Sequence, residues 1–163
     1  MKLRRNAPVL IAVTALGISS VITQISVTRE LLNVLHGSEL VIGLLISVWL
    51  ALTGVGAFLG RHQARRRAVV VASLLLVAVL PFAHIIALRV LRHAVAVRGA
   101  SVDLRAALVW LPLLLAPYCL VSGYLLTLAC SLLGTGKDTL SVGVVYFVDN
   151  IGDILGGALF SFG

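Results

Sequence analysis

The sequence predicts an all-α protein, a polytopic bundle of about five transmembrane helices with its N-terminus in the cytoplasm. Of the 163 residues, 60% are hydrophobic and only 12% are charged, whereas soluble domains average about 45–50% and about 25%. A soluble fold of this size could not bury so much apolar surface. The apolar residues also fall into runs of about 20, the length that crosses a hydrocarbon core of about 30 Å.

Five apolar runs define the predicted spans, at residues 7–27, 40–59, 68–88, 106–133 and 139–163. The first follows a basic start, but it is longer than a signal-peptide core and no A-x-A cleavage site follows, so we expect a retained helix. The second ends before an arginine-rich segment. The third contains Pro81 and His84, the fourth contains Pro112 and Pro117, and a short turn at 134–138 precedes the fifth.

The distribution of Lys and Arg predicts the orientation. The N-terminus carries three such residues, the segment after the second span carries four, and the first loop has only Arg29. The loop 89–105 carries four Arg on the opposite side and departs from this pattern, so part of it is expected to lie as an interfacial helix. Because the Arg residues cluster at span ends, the net charge of +7 indicates headgroup anchoring rather than nucleic-acid binding.

Two carboxylates lie within the fifth span. Asp149 and Asp153 are four residues apart and face the same side of one helix, and Asn150 lies beside them. A charge at a helix centre costs about 2.5–3.5 kcal/mol on insertion scales, so each carboxylate needs a partner or a proton. One interpretation is a site for a cationic group, a proton or an Arg of another helix. The other is a structural ion pair with Arg29 or a neighbouring His.

The end of the first span holds further charged residues. We expect its helix to continue to about Leu35 and to break at Gly37. Arg29 and Glu30 would then anchor the helix at the interface, or Arg29 would turn inward as the counter-ion of the two aspartates. Glu30 and Glu39 are the second candidates for contact with a cation.

Glycines one helical turn apart predict close helix packing in lipid. They occur as Gly56-x-x-x-Gly60 in the second span and as Gly152-x-x-x-Gly156, followed by Gly157, in the fifth. No metal-ligand cluster, catalytic arrangement or nucleotide-binding loop is present in the sequence, so we expect no catalytic residue, no metal and no cofactor in this chain. The sequence shows no convincing internal repeat.

Several segments together resemble the membrane-embedded spermidine synthase-like proteins, in which a transporter-like membrane part is fused to a spermidine synthase. The similar segments are 17–24 (GISSVITQ), 29–32 (RELL), 37–43 (GSELVIG), 49–57 (WLALTGVGA), 117–124 (PYCLVSGY) and the pattern Val145-Tyr146, Asp149, Gly152, Gly156-Gly157, Phe160-Ser161. Their order and spacing cover nearly the whole chain.

The resemblance implies further spans and a cytosolic Rossmann-like aminopropyltransferase domain, which would use decarboxylated S-adenosylmethionine and a polyamine such as putrescine. It also implies a bacterial inner membrane. The acidic catalytic residues and nucleotide loop of that domain are absent from this sequence. A cytosolic domain needs an even number of spans after an inside start, and the fifth span stops at Gly163 without a polar anchor. We therefore expect a C-terminally truncated product.

Three functions follow as hypotheses. The leading one is the membrane domain of a spermidine synthase-like protein, which anchors the enzyme domain and could bind or pass a polyamine through Asp149 and Asp153. The second is a fragment of a proton-coupled transporter of the major facilitator type, in which these residues and His84 handle protons. The third is a structural module that forms a homo-oligomer through its glycine motifs.

Overall fold

A computed structural model describes residues 2–34, 39–61, 67–95, 104–133 and 139–162 of the chain. These residues form five α-helices and, within these ranges, no strand. The helices are α1 (Lys2–Val34), α2 (Glu39–Gly60), α3 (Arg67–Val95), α4 (Leu104–Leu133) and α5 (Thr139–Phe162). The predicted all-α bundle is confirmed.

All five helices are long and apolar enough to cross a membrane. The segments that meet this condition are Ala7–Leu32, Ile42–Gly60, Val69–Ala87, Leu108–Leu133 and Val142–Phe162. Their outward faces carry large apolar side chains such as Ile11, Phe82 and Ile154, each about 70% exposed. Water would penalise such a surface and lipid does not. The chain is therefore an integral membrane protein whose apolar helices contact the bilayer.

Two helices are longer than the sequence predicts. The first begins at Lys2 and contains Pro8 in its second turn, where the ring removes one hydrogen bond of the helix without ending it. The third continues to Val95, seven residues beyond the expected end at Leu88. No Gly or Pro interrupts the sequence there, so nothing stops the helix in the part that carries Arg89 and Arg92. The expected break at Gly37 and residues 96–103 of the basic loop lie outside the described residues.

Contacts between helices fix their relative directions. Gly17 lies against Gly152 and Ile18 lies against Gly156, so α1 and α5 run the same way. Gly56 lies against Leu120 and Gly60 against Tyr124, which makes α2 and α4 parallel to each other. One groove is lined by the beginning of α1 (8–13), the beginning of α3 (70–74) and the end of α4 (125–132). The third helix therefore runs parallel to α1 and antiparallel to α4. Odd-numbered helices therefore run one way and even-numbered helices the other, as successive membrane crossings require.

The α1/α5 pair packs backbone against backbone. A Cβ added at Gly152 would meet the carbonyl oxygen of Thr14, and one at Gly156 would lie 2.8 Å from the carbonyl oxygen of Ile18. On the other side of the interface, Gly17 faces the carbonyl oxygen of Asp149. Gly157 is less confined, since its nearest neighbour is a methyl group of Val21 at 3.8 Å. Only glycine allows the two backbones to come this close.

The α2/α4 pair is built in the same manner. A Cβ at Gly56 would meet the carbonyl oxygen of Leu120, and one at Gly60 would lie 3.0 Å from that of Tyr124. Gly123 of α4 faces the backbone of Thr53 and Ala57. Thr127 then donates a hydrogen bond of 3.1 Å from its hydroxyl to the Ala57 carbonyl oxygen across the interface. Both glycine motifs are therefore covered by another helix of the same chain.

We expect Gly56→Ala to lower the melting temperature of the purified protein in detergent, because the new methyl group collides with the backbone of α4. Overpacking of this kind costs about 1–3 kcal/mol. Gly54→Ala is the matched control, since a Cβ at Gly54 meets nothing within 4 Å. That variant should be neutral or slightly stabilising, because alanine favours a helix by about 0.5–1 kcal/mol over glycine. Equal melting temperatures for the two variants would contradict the tight α2/α4 contact.

Candidate functional site

A small polar cavity lies among α1, α2, α4 and α5. Its volume is about 50 Å³, which exceeds the roughly 10–15 Å³ needed for one water-sized group. The residues that line it are Leu16, Ser20, Trp49, Thr53, Ser122, Leu126 and Asp149. Four of these side chains carry oxygen atoms, and none of the seven carries a positive charge.

Asp149 supplies the carboxylate of this cavity. It is half-buried on α5, and Asp153 lies one turn further along the same helix, also half-buried. The two carboxylates are close enough to repel each other. Within the described part of the chain neither forms an ion pair with Lys, Arg or His. The close contact at Gly17 holds the backbone of both residues against α1. The helix that carries the two carboxylates is therefore held in place.

Three residues with hydroxyl groups complete the lining. Ser122 is buried and donates a 3.0 Å hydrogen bond to the carbonyl oxygen of Cys119 on its own helix. The hydroxyl oxygen of Thr53 is fully buried and has no hydrogen-bond partner among the described residues. This oxygen is closed off from the cavity as well, and its neighbour across the α2/α4 contact is the thiol of Cys119. Ser20 lines the same cavity from α1.

The other charged candidates lie elsewhere. Arg29 is exposed, and its guanidinium carbon is 4.6 Å from the centre of the Phe160 ring. Phe160 is seven residues beyond Asp153, roughly 10 Å along α5 at 1.5 Å per residue. Glu39 is exposed in the first turn of α2, and Glu30 is half-buried near the end of α1. Neither glutamate lines the cavity.

Asn150 faces outward rather than toward the carboxylates. It is exposed, and its amide nitrogen donates a 2.7 Å hydrogen bond to the Tyr146 carbonyl oxygen one turn back on α5. This bond satisfies a polar side chain within its own helix at a lipid-facing position. The structure therefore brings together Asp149 and Asp153 from the predicted set, but not Arg29, Asn150, Glu30 or Glu39.

Sequence reasoning missed Tyr118, which connects four helices. Its side chain is 0% exposed, and its hydroxyl donates a 3.2 Å hydrogen bond to the Ser19 hydroxyl on α1. Its ring lies 5.5 Å from the Trp49 ring of α2 and 6.1 Å from the His84 ring of α3. The available signal was a tyrosine near the middle of a long apolar span, where its hydroxyl must find a partner.

His84 anchors α3 to this centre. The ring is buried; Nδ1 lies 2.9 Å from the Leu80 carbonyl oxygen on α3, and Nε2 lies 2.5 Å from the Leu114 carbonyl oxygen on α4. A neutral imidazole can donate to one of these carbonyls, and an imidazolium to both. The ring therefore links α3 to the backbone of α4. His84 does not line the Asp149 cavity, and Tyr118 and Trp49 lie between the two.

Fold and site together define a polytopic helical membrane protein with a small, partly polar cavity among four of its helices. No group of three or more His, Cys, Asp or Glu residues in the described part could hold a metal ion. Comparison with protein-family models, with curated proteins and with solved structures finds no match to this chain. Any function must therefore be argued from its own residues and from the sequence resemblance.

Replacing Tyr118 tests its role at the centre of the bundle. Tyr118→Phe removes only the hydrogen bond to Ser19 and should lower the free energy of unfolding by about 0.5–1.5 kcal/mol. Tyr118→Ala also removes the contacts with Trp49 and His84, and should cost about 3–5 kcal/mol. Unfolding in mixed micelles, followed by tryptophan fluorescence, measures both. Tyr146→Phe and Tyr146→Ala are the controls, since Tyr146 faces outward. A Tyr118→Ala protein as stable as Tyr146→Ala would contradict the assignment.

Proposed function

We propose that this chain is the membrane domain of a spermidine synthase-like protein in a bacterial inner membrane, and that it anchors an enzyme domain and binds a polyamine cation. The observation that carries the binding role is the pair Asp149 and Asp153, which are half-buried on one face of α5 without a cationic partner among the described residues. The proposed family rests on the sequence resemblance.

Charge balance supports a cationic ligand. Two carboxylates one turn apart repel each other, and within a membrane each is costly unless neutralised. Arg29, the arginine that the sequence analysis considers as their counter-ion, packs on Phe160 instead. A polyamine carries several ammonium groups, so one molecule could neutralise both carboxylates. Each ammonium group donates up to three hydrogen bonds, which oxygen-bearing side chains accept.

The second candidate is a proton-coupled transporter fragment of the major facilitator type. It is favoured by one observation, namely that two titratable side chains lie within the bundle, the buried His84 and the half-buried Asp149. Uptake into vesicles that depends on a pH gradient would support this candidate over the first. The third hypothesis, assembly through the glycine motifs, loses support because α1 and α4 already cover Gly152 and Gly56.

The experiment measures spermidine binding to the purified chain in detergent by isothermal titration calorimetry. The double variant Asp149→Asn with Asp153→Asn keeps the side-chain shapes and removes both charges. We expect it to weaken binding by about thirtyfold or more, as for truncation of a buried charge partner. The control is Asn150→Leu, which changes the outward face of the same turn and should leave the affinity unchanged.

Two results would refute the proposed binding role. One is unchanged spermidine affinity in the double aspartate variant. The other is equal loss in Asn150→Leu, which would indicate a general perturbation of α5. Melting temperatures of each variant without ligand separate loss of binding from loss of fold.

A further inference from the structure

An apolar groove lies between α1, α3 and α4, on the side of the bundle where α1 and α3 begin. All ten residues that line it are apolar. Val13, Leu125 and Leu128 are buried and belong to its lining, and the exposed Pro8 lies at its rim. The groove therefore accepts hydrocarbon and offers a polar ligand no hydrogen bond from a side chain.

The size and depth of the groove suit part of an acyl chain. Its volume is about 170 Å³, and an apolar cavity of about 150 Å³ is large enough to bind benzene. Its lining belongs to the beginning of the first and third membrane-spanning segments and to the end of the fourth. The groove therefore lies in one leaflet, close to the headgroups, where lipid chains reach it without crossing water.

Arginines continue the helix faces that line this groove. Arg5 lies four residues before Val9, and Arg67 lies three residues before Val70. Positions three or four apart share a face of a helix, so each arginine is placed on the groove side of its helix, one turn earlier. One turn is about 5.4 Å along the axis. Both positions lie outside the apolar spans, at the level of the headgroups.

The charge around this end of the groove has one sign. The stretches of α1, α3 and α4 that border it (2–13, 67–74 and 125–132) contain four basic residues and no Asp or Glu. The first turns of α1 and α3 contain no acidic residue, and the N-terminus of a helix carries a partial positive charge. An apolar groove that ends at a purely basic border is complementary to an amphiphile with an anionic headgroup.

We propose that this groove seats one acyl chain of an anionic phospholipid, whose phosphate group is bound by the arginines at the starts of α1 and α3. The Lys and Arg distribution predicts this side of the membrane to be cytoplasmic, where basic residues attract anionic lipids. The site shares no lining residue with the cavity of Asp149. The inference therefore goes beyond the proposed function and does not depend on it.

The headgroup is tested by comparing phosphatidylglycerol with phosphatidylcholine that carries the same acyl chains. Each lipid is titrated into the purified chain in detergent, and the melting temperature is followed, because binding to the folded state raises it. We expect phosphatidylglycerol to stabilise the chain at a lower mole fraction. Arg5→Gln and Arg67→Gln should each raise the mole fraction needed by about fivefold, and the double variant by about 25-fold.

Arg61→Gln is the matched control for each arginine variant. Arg61 follows α2 directly, is exposed on the same side of the membrane, and its guanidinium carbon lies 4.5 Å from the centre of the Phe58 ring. The substitution removes the same charge beside a helix that does not line the groove. The dependence on phosphatidylglycerol should therefore stay unchanged.

The acyl chain is tested by filling the groove. Ala12 is one of the lining residues, so Ala12→Leu should remove most of the phosphatidylglycerol shift. The melting temperature without lipid should stay unchanged or rise, as cavity filling commonly stabilises a protein. Ala51→Leu is the control, since Ala51 is exposed on α2 and does not line the groove. Glycerol 3-phosphate, a phosphate without an acyl chain, should give no shift.

Four results would overturn the proposal. Equal stabilisation by the two phospholipids, or equal effects of Arg61→Gln and Arg5→Gln, would exclude a specific site for an anionic headgroup. A full phosphatidylglycerol shift in Ala12→Leu, or an equal shift with glycerol 3-phosphate, would exclude an acyl chain in the groove. The arginine variants change positions outside the apolar spans, so they keep the test decisive should Ala12→Leu not fold.

Discussion

Close contact between helix backbones is the constraint on which the rest of this structure depends. In lipid there is no hydrophobic gain in bringing two apolar helices together, so tight packing comes from small residues and from polar contacts. Here Gly17, Gly152 and Gly156 join α1 to α5, while Gly56, Gly60 and Gly123 join α2 to α4. These contacts are so short that the helices cannot slide along each other without a collision. They therefore fix the register of α1 against α5 and of α2 against α4.

Buried polar side chains also hold the bundle together, and they lie where the α1/α5 and α2/α4 pairs meet. Tyr118 reaches Ser19, Trp49 and His84, and His84 reaches the Leu114 carbonyl of α4. The third helix has no glycine contact of its own in this arrangement and is joined through that histidine and through apolar packing. A network of this kind specifies which helices are neighbours. Apolar surfaces alone would not, since lipid tails solvate leucine as well as another helix does.

The glycine contacts and the polar cavity are parts of one arrangement. The carbonyl oxygens of Thr53 and Asp149 lie against Gly123 and Gly17 of the opposite helices, and both residues line the cavity. A carboxylate placed on such a rigid interface keeps its position when it meets a charged ligand, which is how binding sites preserve geometry. Asp153, one turn away, does not line this cavity, so the two aspartates of the fifth helix have different surroundings despite sharing one face.

The sequence alone determined the five helices, because length and hydropathy are local properties and a bilayer admits few other spanning structures. It also determined that Asp149 and Asp153 share a helical face and that the glycine motifs suit close packing, since both follow from the helical period. Which helices those glycines contact was decided only by the tertiary structure, as were the contact of Arg29 with Phe160 and the position of Thr53 and Asp149 at one cavity. Such contacts join residues far apart in the chain. Apolar side chains pack equally well against lipid and against protein, so their pattern in the sequence does not indicate which helices are neighbours. The two glycine-packed pairs also match each other contact by contact, since Gly17 faces Asp149 as Gly123 faces Thr53. Only the structure shows this match, because most of the corresponding side chains differ.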